Sequence, residues 1–319
     1  MSEKILIVDA MNAFIRNYVM NPSLAADGAP IGGTKGFLMS LQKMSREINP
    51  DKIVVVWDGG GGSAKRRALA KQYKDGRKPL KLNRAYSGMS ALEESENRYR
   101  QLSRTVEYLN EMPVIQLLID DVEADDVIAY VCRMPFLRGA IKIIASMDKD
   151  FYQLCDNETM VYSPIKDEFI NKKRILENFN IHPNNFALAR AIDGDKSDNL
   201  EGVKGAGLKT IAKKMTFLAD EFPSTLDDIF NYCKSDDTGA KIFQNILMER
   251  KKVELNYKLM QLYAPNISMK SSLRIKNTVE NFAPTVNRTN ITKMMIQDGI
   301  SEFNWESLFQ KFRSIVAKK

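Results

Sequence analysis

The chain has 319 residues, 44% hydrophobic and 27% charged, with a formal net charge of +7. That length supports a sizeable core, no apolar run approaches the roughly 20 residues of a membrane span, and the charge favours an anionic partner, nucleic acid first. One histidine, His182, and three scattered cysteines, Cys132, Cys155 and Cys233, argue against a serine–histidine triad, a multi-histidine zinc site and a disulfide framework.

The first apolar run, KILIV (4–8), ends at Asp9 without a cleavage-site pattern. It reads as a strand and not a signal peptide, so a cytoplasmic protein is expected. GFLMSLQKMSREI (36–48) has helical spacing, and KIVVVW (52–57) is a second strand ending at Asp58. GGGG (59–62) reads as a flexible loop. The stretch 64–84, AKRRALAKQYKDGRKPLKLNR, holds nine Lys or Arg and one acid, with Tyr73 inside it and Tyr86 just beyond. Basic residues with an occasional aromatic suit single-stranded nucleic acid.

A helix over 98–112 leads to a third strand, VIQLLI (114–119), which runs into DDVEADD and a helix over 124–134. The fourth strand, IKIIAS (141–146), is followed by MDKD. Strands without polar alternation, separated by helices, imply a doubly wound α/β domain with a mainly parallel sheet, legible to about residue 165. Residues 171–260 read as mostly helical, with breaks at 182–183, 202–207 and 222–224, and 266–319 carry more helical pattern. His182, before a proline, reads as a turn or helix-entry residue.

Ligands of parallel α/β folds bind at the carboxyl ends of the strands. Here those ends carry Asp9, Asp58, the acids of DDVEADD, and Asp148 with Asp150. A single acid there caps a helix, but a cluster repels itself unless cations neutralise it. Hard divalent ions prefer such oxygen ligands, and two of them about 4 Å apart can activate water against a phosphodiester. A further acidic run, Asp193, Asp195 and Asp198, precedes the Gly205-Ala206-Gly207 turn, with Lys204, Lys209, Lys213 and Lys214 around it. Glycine turns before a helix present amides to phosphate. The spacing departs from a nucleotide P-loop, because Leu208 separates Gly207 from Lys209-Thr210.

Three motifs in order, EADD (123–126), SMDKDFYQL (146–154) and GDKSDNLEGVKGAGLKT (194–210), resemble the structure-specific 5′-nuclease family of flap endonucleases and 5′–3′ exonucleases. Length and helical extension look closest to phage enzymes of the T-even ribonuclease H type. The resemblance implies a PIN-like or resolvase-like core over 1–193, a basic helical arch over about 64–100, and a helical DNA-binding region over 194–319. Within that region a helix–hairpin–helix falls at about 202–213. It implies two Mg²⁺ ions, with Mn²⁺ as substitute, and a K⁺ ion at the helix–hairpin–helix. Asp9, Asp58, Glu123 and Asp125, with Asp126, match the ligands of the first metal. Asp148, Asp150 and Asp195, with Asp198, match those of the second.

Lys74 matches the family's lysine at the scissile phosphate. Arg66, Arg67, Tyr73 and Arg77 are expected at DNA, as are Lys204, Gly205, Gly207, Lys209, Thr210 and Lys213. The implied activity is removal of flaps or RNA primers from DNA and RNA–DNA hybrids in replication and repair. The protein is then a monomer, with a single-stranded-DNA-binding protein or a sliding clamp as partner. Two alternatives compete: a catalytically inactive DNA-binding homologue, which predicts missing acids, and a small PIN-type ribonuclease, which lacks the 194–214 stretch.

Overall fold

The computed structural model describes residues 2–76, 82, 88–300 and 304–318. Arg77, Tyr86 and the middle of the expected arch lie outside the described residues.

Among the described residues, six strands form one sheet: β1 (Lys4–Asp9), β2 (Lys52–Trp57), β3 (Ile115–Leu118), β4 (Ile141–Ala145), β5 (Thr159–Ser163) and β6 (Glu168–Ile170). Their order is β3-β2-β1-β4-β5-β6, with all neighbours parallel except the antiparallel β5–β6 pair. The four expected strands are present. The strands β5 and β6 were not expected, and they extend the sheet past its anticipated end.

Chain order reverses direction between β1 and β4, which opens a crevice at their carboxyl ends. Among the described residues this half has seven helices: α1 (Ala10–Met20), α2 (Gly32–Ile48), α3 (Ala64–Leu69), α4 (Ala91–Asn110), α5 (Ala124–Cys132), α6 (Lys172–Phe179) and α7 (Pro183–Asp193). His182 caps α7, its Nδ1 accepting from the amide of Asn184 at 3.2 Å.

The strands are apolar throughout because both faces are covered. Alternate residues Leu6, Val8, Val55 and Trp57 pack with α1, α2 and α4. Ile5, Ile7, Val54 and Val56 join α5 and α7 on the other face. After α7 come a two-strand hairpin, β7 (Gly194–Asp195) and β8 (Leu200–Glu201), then α8 (Leu208–Lys214), α9 (Leu226–Lys234), α10 (Lys241–Met248) and α11 (Arg250–Met260). Three further helices follow: α12 (Met269–Glu280), α13 (Arg288–Asp298) and α14 (Trp305–Val316). Ile211, Phe230, Val253 and Ile275 share the apolar cluster of α5, whereas Phe309 and Phe312 join that of α2. The carboxyl-terminal helices therefore clothe both faces of the sheet. The three cysteines are free and buried. Among the described residues no helix is long and apolar enough to cross a membrane.

The glycine stretch after β2 is packed and not loose. The amide of Gly59 donates to the carbonyl of Val122 at 3.1 Å, and that of Asp121 to Gly60 at 2.8 Å. A Cβ on Gly59 would lie 1.8 Å from the carbonyl oxygen of Ile119, whereas one on Gly60 would find its nearest neighbour 4.0 Å away. This contact sets the end of β2 against the entry to α5. Gly59→Ala is expected to destabilise by about 3 kcal/mol, by overpacking against backbone. Gly60→Ala should stay within about 0.5 kcal/mol. Urea denaturation of both variants checks the contrast.

Candidate active site

An open cavity of about 700 Å³ lies over the carboxyl ends of the four adjacent strands β3, β2, β1 and β4. Asp9, Asp58, Asp125 and Asp148 line it, with Lys74, Arg16 and Arg98. Each acid is placed by a helix start. Asp9 ends β1 and caps α1, its Oδ1 accepting from the amide of Asn12 at 3.1 Å. Asp58 follows β2, and its Oδ1 accepts from the amide of Ala124, the first residue of α5, at 2.9 Å. Asp125 sits in the first turn of α5. Asp148 caps the 3₁₀ turn Lys149–Leu154, accepting from the amide of Asp150 at 2.8 Å. Helix starts favour negative charge.

Ser146, which ends the IKIIAS run, joins the two sides. Its hydroxyl donates to Asp9 Oδ2 at 2.9 Å and accepts from the amide of Asp148 at 3.1 Å. Burial, reinforced by Asp58 and Asp148, pushes the Asp9 carboxyl up to about 7. Burial and then Asp148 raise Asp125 well above the usual carboxylate range. Burial also raises Asp148. The cavity floor is a place where negative charge is costly until a cation arrives.

Other acids already have protein cations. Arg66 is buried, and its Nη1 bonds Glu123 and, at 2.7 Å, Asp126. Its Nε donates to the carbonyl of Leu259 at 2.8 Å. Tyr73 donates to Glu123 at 3.1 Å, and Lys74 Nζ to the other oxygen of Glu123 at 2.6 Å. Against the opposing effect of burial, Lys74 and Arg66 hold the Glu123 carboxyl below its usual range. On the other flank Arg190 bonds Asp150 at 2.9 Å and Asp195. Asp195 also accepts from the amide and hydroxyl of Ser197, both at 2.7 Å.

These contacts correct the expectation for two residues. Arg66 and Tyr73 were expected at nucleic acid, but both are buried. Arg66 is a structural counter-ion, and Tyr73 packs with Ala70, Leu200 and Leu259. Lys74 does face the cavity, in a left-handed conformation at φ 59° that only a few per cent of non-glycine residues adopt. Its amide donates to the carbonyl of Asp198 at 2.8 Å, and the side-chain amide of Asn199 donates to the carbonyl of Gln72 at 2.9 Å. Arg67, Lys204, Gly205, Gly207, Lys209, Thr210 and Lys213 are all exposed, the last six on the turn before α8 and on α8 itself.

The sequence reading missed Ser146, Arg16, Arg98 and Arg190. Asn12 and Arg16 stand three and seven residues after Asp9, on one face of α1, a spacing that could have flagged them. Nη1 of Arg16 is buried with no hydrogen-bond partner among the described residues.

The donor set suits a hard divalent cation: all oxygen, crowded and half-screened from water. Asp125 and one oxygen of Asp58 take no hydrogen bond or ion pair among the described residues, so they are left over for a ligand. Among those residues no group of three acids, histidines or cysteines is already gathered to hold an ion. The four cavity acids share one opening without converging on a point. Replacing Arg66 would leave the buried Asp126 with no ion-pair partner among the described residues, and Glu123 with Lys74 and Tyr73 alone. Arg66→Met is expected to destabilise by about 3–5 kcal/mol, read as a lower urea midpoint at unchanged slope.

Residues 4–180 match the family model for the 5′-3′ exonuclease N-terminal resolvase-like domain. A 5′-3′ exonuclease of Aquifex aeolicus is 29% identical over 81% of each chain. The thermostable DNA polymerase I of Thermus aquaticus is 31% identical over 66% of this chain, which spans 23% of the polymerase's length. The bacteriophage T5 D15 flap endonuclease, solved as a product-like complex with DNA and metal ions, shares the fold. Its TM-score is 0.65 at 18% identity, over 92% of this chain and 97% of the other. The six-stranded, mostly parallel sheet and the match over more than half of its length place this chain in the 5′–3′ exonuclease family of hydrolytic nucleases, through a resolvase-like domain.

Proposed function

We propose that the chain is a divalent-metal-dependent 5′ nuclease that hydrolyses phosphodiesters of flaps, nicked duplexes and RNA–DNA hybrids. One observation carries this reading: four adjacent strand ends deliver Asp9, Asp58, Asp125 and Asp148 to one cavity, with oxygens of Asp58 and Asp125 left over for a ligand. Mg²⁺ would be held by these acids, with Asp150, Asp195 and Asp198 toward the second flank. Bound there, the cation supplies Lewis-acid activation of water and neutralisation of phosphate charge.

The chain's own residues do the rest. Lys74, anchored through Glu123, presents an ammonium to the phosphate and stabilises charge that builds up on its oxygens. Arg16 and Arg98 offer guanidinium groups from α1 and α4 on the same cavity. Helix starts fix the backbone of the four acids around one opening. The exposed lysines of the turn before α8 and of α8 itself engage duplex phosphates outside the cavity, with a K⁺ ion as the resemblance implies.

The test is cleavage of a 5′-labelled flap and of a nicked RNA–DNA hybrid, in Mg²⁺ and in EDTA. Mg²⁺-dependent release of 5′ fragments is expected. An inert protein in both Mg²⁺ and Mn²⁺ would leave the inactive DNA-binding homologue standing. Asp148→Asn should lower kcat at least about 100-fold, and Lys74→Ala about 10² to 10³-fold, with binding less affected. Wild-type rates in either variant sink that residue's role. Affinity for the flap should fall by about 10³ or more between 50 and 200 mM salt, if six or more phosphates are contacted.

A further inference from the structure

Arg190 stands at the carboxyl-terminal end of α7 with its side chain 9% exposed, and it is fully engaged. Nε donates to Asp150 at 2.9 Å, Nη1 to the carbonyl of Gly194 at 2.9 Å and toward Asp193 at 3.4 Å, and Nη2 to Asp195. Asp150 belongs to the 3₁₀ turn after β4, and Asp195 to the β7–β8 hairpin. One planar fork thus joins two acids from separate elements, a geometry that a lysine cannot reproduce. The same two acids are those assigned above to the second flank of the metal site.

We infer that Arg190 is a resident cation of that flank, a positioning residue that holds Asp150 and Asp195 in place and sets how tightly they take a divalent ion. The inference rests on the proposed metal site. Arg190 occupies one oxygen of each carboxylate and places a positive charge beside any ion that shares them. Both effects lower ion affinity while keeping the two acids in register. The cavity acids Asp9, Asp58, Asp125 and Asp148 form no ion pair among the described residues, although the charge of Arg190 also reaches Asp148. The two flanks of the site should therefore differ in affinity, with the ion on the Arg190 side bound more weakly.

The test is calorimetric titration of the full chain with MnCl₂, without nucleic acid, on wild type, Arg190→Gln and Arg190→Lys. Wild type should show two classes of site. Arg190→Gln should tighten the weaker class at least ten-fold and leave the tighter class within two-fold. Arg190→Lys, which keeps the charge but reaches one carboxylate, should tighten it about three-fold. Both variants should cleave a flap more slowly at saturating Mn²⁺, because the acids are no longer held, and Arg190→Lys should recover part of the rate. A weaker class unchanged or weakened in a folded variant would overturn the proposal. If Arg190→Gln fails to fold, Arg190→Lys decides by the same measurement. If neither folds, Arg190 is a structural residue and the proposal also fails. Absence of any Mn²⁺ binding to wild type would instead overturn the metal site itself.

Discussion

Four carboxylates at the ends of four adjacent strands repel one another, and much of the surrounding structure makes that repulsion tolerable. Three of them accept hydrogen bonds from backbone amides at helix starts: Asp9 at α1, Asp58 at α5 and Asp148 at the 3₁₀ turn. The fourth, Asp125, lies in the first turn of α5. Each partial positive charge offsets some of the cost. Beyond them, Arg66 and Arg190 neutralise a second ring of acids on opposite flanks. What remains unbalanced is the cavity floor, and in the function proposed above that imbalance would draw in a cation and then a phosphate.

The sheet order makes this concentration possible. Because β1 is central, with β2 and β3 on one side and β4 on the other, four consecutive edges of the same kind stand side by side. The packed glycine at 59 then lets the end of β2 lie against the chain entering α5, so that Asp58 reaches the amide of Ala124. Close backbone approach and acid placement are one event, and a side chain at 59 would disturb both.

Much of the α/β core was legible, because a parallel sheet covered on both faces writes itself as short continuous apolar runs. The strands β5 and β6 escaped because TMVYS carries three hydroxyl residues and EFI has only three positions, which is too little pattern to read. The cavity acids were visible for a similar local reason: each directly follows a strand or opens a helix. The counter-ions were harder. Arg66 and Glu123 are 57 residues apart, and Arg190 and Asp150 are 40 apart, so no spacing rule links them. Tyr73 and Arg66 sit in a run whose composition suits a solvent-facing nucleic-acid contact, and only tertiary packing turns them inward. The glycine run misled in the same way, since freedom in sequence became close contact in three dimensions.

The backbone ties between residues 72–74 and 198–199 have a further meaning. Lys74 takes its position from the carbonyl of Asp198, and Gln72 is fastened to Asn199. The segment carrying the cavity's lysine is therefore clamped to the β7–β8 hairpin, which also holds Asp195 and leads into α8. A displacement of that hairpin moves the lysine and one flank of acids together. An insertion or deletion in either stretch alone would pull the other out of place.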